Sequence, residues 1–158
     1  MMSIRVATID DVPLVLALIR ELADYEKRSH EVVADEVLVR EGLFGKRPAA
    51  EALVAEVDGG AVGFALYFQT FSTFLGRVGI HLEDLFVRPA ARRRGVGRAL
   101  LVHLARLAVE RGCGRFEWTV LDWNSAAISF YQSLGAVPLS EHRMFRLTGE
   151  ALRRTAES

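Results

Sequence analysis

The 158-residue sequence is short of several things, and each shortage excludes something. One cysteine, Cys113, rules out an internal disulfide and any metal site built from several thiolates. Net charge is missing too: 20 basic residues balance 20 acidic ones, so there is no bulk electrostatic case for nucleic acid or an anionic membrane as partner. No stretch reaches the ~18 consecutive apolar residues that would cross a bilayer. No basic-then-apolar leader opens the chain, so a soluble cytoplasmic protein is the expectation. His30, His81, His103 and His142 lack the spacing of metal ligands, and no metal is expected. Lysine is nearly absent, only Lys27 and Lys46 interrupting the arginines. Internal repeats, low-complexity tracts and linker-like runs do not occur.

What is present is an ordinary globular balance, 51% apolar and 25% charged, in a length that suits one domain over 1–158. A short strand at Ile4–Ala7 leads to Thr8-x-x-Asp11, a capping box, with Pro13 tolerated in the first helical turn. The helix that follows stripes Val12, Val15, Ile19, Leu22 and Ala23. A second helix is expected over Asp35–Leu43. Strands Ala52–Val57 and Ala61–Phe71 flank the turn Asp58-Gly59-Gly60, with Gly63 marking a bulge or a close approach. Val78–Val87 reads as a central strand, and Arg115–Leu121 as another. Asn124-Ser125 caps a short helix through Ser133, closed by Gly135. Val137–Leu139 and Arg143–Leu147 read as the last strands, before a charged helix over Glu150–Ala156. The order is that of an α/β protein with a mixed sheet and helices on its faces.

Between the central strand and the long helix lies Arg92-Arg93-Arg94-Gly95-Val96-Gly97-Arg98. The helix places Val96, Leu100, Leu104 and Leu107 on one side. A helix start offers free backbone N–H groups and a positive dipole end, which suits a phosphate. Gly95 and Gly97 have no Cβ to obstruct a bulky anion. Taken alone, the loop is equally a basic turn capping a surface helix.

Arg92-x-x-Gly95-x-Gly97 resembles the Gln/Arg-x-x-Gly-x-Gly/Ala signature of the GNAT superfamily of N-acetyltransferases. The chain is most similar to the spermidine/spermine (diamine) and thialysine N-acetyltransferase branch. The matching blocks are Arg20-Glu21-Leu22-Ala23-x-Tyr25-Glu26, Val54-Ala55-Glu56-Val57, Val62-Gly63-Phe64-Ala65, Leu82-Glu83-Asp84-x-Phe86-Val87 and Trp123-Asn124-x5-Phe130-Tyr131-x3-Gly135-Ala136. The resemblance implies the GNAT fold: a mixed, mostly antiparallel twisted sheet, helices on both faces and a splayed central strand pair. It also implies acetyl-CoA as cosubstrate and a homodimer. Arg92, Arg93, Arg94, Gly95, Val96, Gly97 and Arg98 would hold the diphosphate, and the free backbone of Leu85, Phe86 and Val87 the pantetheine arm. Asn124 would touch the cofactor besides capping its helix.

Acetyl transfer to an amine needs a neutral nitrogen and a proton for the departing thiolate. A phenol has a pKa of about 10 and stays protonated at neutral pH, which fits Tyr131, by resemblance, as general acid and as a cofactor contact. The alternative is a tyrosine at the core edge. By resemblance Glu83 takes the amine proton through water and Asp84 holds a cationic substrate. Adjacent strand residues face opposite ways unless a bulge intervenes, and a salt bridge from either acid to Arg77 or Arg88 is the competing reading. Tyr25, Glu26 and Glu31 are candidates for the outer channel and Trp123 for its wall; a solvated helix end and a buried tryptophan explain them equally. His142 stands where the polyamine branch carries an aromatic residue, a departure that bears on long polyamines. Cys113 is expected to be inert, since direct transfer needs no acyl-enzyme. The expected activity is direct transfer, in a ternary complex, to a primary amine of a small substrate, a polyamine, a diamine or a thialysine-like amino acid. A protein N-terminus or lysine as acceptor, or a non-catalytic acetyl-CoA sensor, are the alternatives.

Overall fold

The computed structural model describes residues 1–158, in two compact units, Met1–Thr119 and Val120–Ser158, taken here in turn. The first unit is built on a five-stranded sheet in sequential order: β1 (Met2–Val6), β2 (Glu51–Val57), β3 (Gly60–Ser72), β4 (Arg77–Val87) and β5 (Arg115–Trp118). Every neighbouring pair is antiparallel except β4 with β5, which is parallel. Three helices complete the unit: α1 (Val12–Tyr25), α2 (Glu36–Phe44) and α3 (Val96–Glu110). No helix of the chain is long and apolar enough to cross a membrane.

β2 shows why the sheet is covered on both faces. Ala52, Leu53, Val54 and Ala55 are all buried, a run that a one-sided sheet would not permit. Ala52 and Val54 join Phe64 and Phe86 in a cluster with Val12, Val15, Leu16 and Leu18 of α1 and Val39 and Leu43 of α2. On the other face α3 lies against all five strands, burying Val96, Leu100, Leu101, Leu104 and Ala108. The buried stripe of α3 thus follows a four-residue step and ends on Ala108; Leu107, expected in the stripe, falls on its flank.

Local chemistry fixes the ends of these elements. The Asp11 carboxylate accepts the Thr8 N–H at 2.7 Å and takes a bidentate pair from Arg5, at 2.7 and 2.9 Å. Arg5 holds the Asp11 carboxyl down at about 2. Asp35 caps α2 by accepting from the Leu38 N–H. Asp58 and Gly59, at φ +51 and +81, turn β2 into β3 through the left-handed pair of angles that a two-residue hairpin favours. At Gly63 a Cβ would meet the Phe86 carbonyl at 2.5 Å, so glycine is required there for β3 to lie against β4. The adjacent residue, Val62, is the extra one in a bulge against β2.

In the second unit, α4 (Ser125–Ser133) is capped by Asn124, whose side-chain oxygen accepts from the Ala127 N–H at 3.3 Å, and is closed by Gly135 at φ +88. A charged helix, α5, covers Gly149–Ala156. The strands expected at Val137–Leu139 and Arg143–Leu147 are not formed. Apolar residues alone do not make a strand, which also needs a hydrogen-bonded neighbour, and neither stretch has one. β5 likewise stops at Trp118 instead of reaching Leu121.

Candidate active site

β4 is the axis of the site. Its parallel pairing with β5 runs from Gly79 opposite Arg115 to Leu82 opposite Trp118 and goes no further. From Glu83 to Val87 the strand keeps β3 on one side and has no β5 partner on the other. This is the splayed pair that the resemblance implies, and it leaves outward-facing backbone groups of β4 free along Leu85, Phe86 and Val87. One of them is engaged from within: the Val87 carbonyl accepts from Arg92 Nε at 2.9 Å.

The two acids sit where that divergence begins, and a bulge decides how they point. Leu66 opposes Asp84 and Tyr67 opposes Leu82, so Glu83 is an extra residue with no partner in β3. Asp84 shares the face of Leu66 and Phe86, toward α1, while Leu82 and Tyr67 take the other face. Glu83 joins the first group, its carboxylate 3.7 Å from His81 Nε2, with His81 itself stacked on Phe68 at 4.9 Å between ring centroids. Both acids therefore serve one side of the strand. Glu83 is exposed and Asp84 half-buried. Burial pushes the Asp84 carboxyl up to about 6, helped by the negative charges of Glu83 and of Glu26, the residue that follows α1.

The salt-bridge reading is not what is seen for Glu83. Arg88 is taken instead by Glu21, at 2.8 and 2.9 Å, and by the Ala61 carbonyl at 2.9 Å, which fixes α1 to the end of β4. His81 was not singled out from the sequence, although its position two residues before Glu83 places it on the same side of a strand.

After β4 the chain makes one turn of 3-10 helix at Pro89–Ala91 and then the arginine-glycine loop. Arg93 takes φ +62 and Gly95 φ +80. A left-handed conformation costs a non-glycine residue about 1 kcal/mol, so Arg93 is held there by the turn around it. Alternating hand along successive residues turns their N–H groups toward one concavity, a nest for an anion. From Arg93 through Arg98 no backbone N–H has a backbone acceptor; the first that does is Ala99, bonded to the Gly95 carbonyl at 2.9 Å. A Cβ on Gly95 would meet nothing within 4 Å, so the loop is open on that side. Gly97 differs: its Cβ would stand 3.8 and 3.9 Å from the methyls of Leu85 and Val87, an ordinary contact. Of the loop arginines, Arg94 approaches Asp58 at 3.7 Å, both side chains exposed, and Arg92 is engaged inward. These amides, the open face of Gly95 and the free strand edge fit a diphosphate bearing a peptide-like arm.

Tyr25, the last residue of α1, lies under the Arg92 guanidinium, 4.4 Å from its ring centroid. Asn124 and Tyr131 belong to the second unit. There Asn124 is the cap of α4, and Tyr131 sits on the same helix with its ring 5.7 Å from that of Phe130.

Comparisons with known proteins agree with this geometry. The family model described as Acetyltransferase (GNAT) family matches residues 17–136. The thialysine N-epsilon-acetyltransferase of Sus scrofa is 40% identical, over 97% of this chain and 96% of its own length. The L-ornithine N5-acetyltransferase NATA1 of Arabidopsis thaliana is 34% identical, over 94% of this chain and 85% of its own. Among solved structures, the integron cassette protein VCH_CASS6 from the mobile metagenome of V. cholerae superposes with a TM-score of 0.84 at 27% identity, covering 99% of this chain and 98% of that one. With a strand pair that parts beside two acids and an anion nest at the following helix, the chain belongs to the GNAT family of acetyltransferases, enzymes that use acetyl-CoA to acylate an acceptor.

Proposed function

We propose that the acceptor is the terminal primary amine of a small cationic molecule, a basic amino acid of the thialysine or ornithine kind first and a diamine or polyamine second, and that transfer is direct, in a ternary complex. The observation that carries this reading is the bulge at Glu83, which turns two adjacent carboxylates to one side of β4 within the field of Glu26. Three acids around one open strand edge suit a cation. The relatives named for thialysine and ornithine act on molecules of that description. The matched segment, 17–136, crosses the boundary between the two units, which supports reading 1–158 as one acetyltransferase domain.

Bound acetyl-CoA supplies an acetyl group activated as a thioester. The backbone amides of Arg93 to Arg98 hold its diphosphate, and the edge of Leu85, Phe86 and Val87 pairs with its pantetheine amides. Asp84, ionised above about pH 6, draws in the ammonium. Glu83 takes one ammonium proton through a water molecule, leaving a lone pair on nitrogen for the new N–C bond. As the N–C bond closes, the nitrogen releases its second proton to solvent, and as the C–S bond breaks Tyr131 gives its phenolic proton to the sulfur and is reprotonated from solvent. Tyr25 and Glu26 form the outer wall on the acceptor side, and Asn124 adds a polar contact to the cofactor. His81 gives Glu83 a neighbour able to pass the collected proton outward.

A thiol-release assay with thialysine, ornithine, putrescine, spermidine and short peptides tests the acceptor class. Turnover is expected with the small amines and not with peptides; a preference for peptide N-termini would overturn the proposal.

The loop makes its own prediction. Gly95→Ala puts a Cβ into the anion's space on a backbone at φ +80, whereas Gly97→Ala makes only ordinary contacts. Calorimetry is expected to show acetyl-CoA affinity falling about tenfold or more for the first and little for the second, since strain and a lost amide contact each amount to about 1 kcal/mol. A homodimer is part of the proposal. Val137, Met144 and Phe145, exposed by 77%, 71% and 91%, are apolar side chains that a second copy would cover. Sedimentation is expected to show twice the chain mass; a monomer at assay concentration would remove this element.

A further inference from the structure

Arg92 opens the glycine loop, and the resemblance assigns it, with its neighbours, to the diphosphate. Its side chain goes elsewhere. The side chains of Leu85 and Val87 lie by Gly97 at the start of α3. Phe86, between them, points from the opposite face of β4 into the cluster with α1 and α2. The Arg92 guanidinium follows Phe86: it stands 5.7 Å from that ring's centroid and 4.4 Å from the centroid of Tyr25. Its Nε donates to the Val87 carbonyl at 2.9 Å. The cation thus lies across β4 from the packing side of Gly97, occupied by two rings and a carbonyl.

What Arg92 joins is informative. Tyr25 is the last residue of α1, and Glu26 follows it at the helix end. Phe86 and Val87 close β4, two and three residues beyond Asp84. The same junction carries the Arg88 pair with Glu21, one helical turn earlier in α1. That second tie leaves the helix body attached without Arg92 and makes Arg92 responsible for its last turn.

Resting on the reading of Asp84 and Glu26 as the acids that hold the acceptor, we propose that Arg92 is a positioning residue for the amine: it pins the end of α1 to the end of β4 and so sets the gap between Glu26 and Asp84. It does not bind the diphosphate through its side chain. Glu26 already stands 4.0 Å from Arg28, and without the pin that contact draws it away from the amine, which loses one of its acids.

The test separates the two substrates. Arg92→Met keeps the length of the side chain and removes its charge and donor. With thialysine or ornithine as acceptor, KM for the amine is expected to rise about tenfold, the worth of one partly desolvated cation–ring contact, while the acetyl-CoA Kd moves less than about threefold. Arg92→Lys, retaining a cation and a donor, recovers most of the loss. Tyr25→Leu reproduces the Arg92→Met effect, Tyr25→Phe recovers most of it, and combining Arg92→Met with Tyr25→Leu adds little, because both remove one contact. An acetyl-CoA Kd that weakens as much as the amine KM rises would make Arg92 a phosphate ligand and overturn the inference. An additive double variant would do the same, since a general loss of packing predicts additivity. A parent protein that binds no acetyl-CoA overturns the proposed function itself, and this inference with it.

Discussion

Asp84→Asn is expected to give a protein that melts higher and works worse. Burial, with Glu83 and Glu26 nearby, raises the Asp84 carboxyl from an ordinary 3.8 to about 6. The folded chain therefore binds this proton more tightly than the unfolded chain does. The stability from that proton is complete below about pH 4 and is lost as pH rises through about 6, leaving a carboxylate that opposes folding at neutral pH. A shift of this size corresponds to roughly 3 kcal/mol, which partial solvent contact reduces to roughly 1–2 kcal/mol. At about 2–4 °C per kcal/mol for a chain of this length, Tm should rise by about 2–8 °C at pH 8 and hardly at all at pH 4. Activity moves the other way: losing one anion of a charge-paired acceptor site is expected to lower kcat/KM for the amine about a hundredfold. The acid limb of the parent's pH profile near pH 6 should vanish with it. An Asn variant that melts lower at pH 8 would show that the carboxylate is not strained, and the acceptor reading would lose its electrostatic support.

Tyr131→Phe carries the second large effect. The substitution removes one hydroxyl and leaves the ring that meets Phe130. If the phenol protonates the departing sulfur, kcat should fall about a hundredfold, the lower range for a positioned general acid. Acetyl-CoA affinity should change little, because the proposed site holds most of the cofactor through the amides of Arg93 to Arg98 and the edge of β4. Rapid-quench measurement of the chemical step, beside calorimetric binding, separates the two quantities. Full activity in the Phe variant would remove Tyr131 from the mechanism. Equal losses in kcat and in affinity would make its hydroxyl a cofactor contact only.

The contrast between these residues and others shows what local pattern can and cannot convey. The loop was readable because its geometry is local: glycines and a helix start at consecutive positions leave a run of backbone amides without backbone acceptors. α3 and β2 were readable because periodicity and burial follow directly from one another. The side toward which Glu83 points was not readable, since the bulge is a property of the pairing between two strands and depends on Leu66 and Tyr67 in the neighbouring strand. The destination of Arg92 was hidden for a similar reason. Its partners come from α1 and β4, and a long side chain can serve either face of the strand it follows. The segments at Val137–Leu139 and Arg143–Leu147 read as strands, yet no neighbour within the chain supplies the ladder that would make them so.

The extra residue in β4 also bears on how such an enzyme changes acceptor over generations. Position 83 has no partner across the ladder, so its side chain can be exchanged without disturbing the register on either side. Position 84 is paired, half-buried and electrostatically loaded, so replacing it alters foldability and chemistry together. Exchange at the first site should therefore spare foldability and be felt only in the proton transfer proposed for it, while exchange at the second is felt in both, a division of labour set by a single unpaired residue.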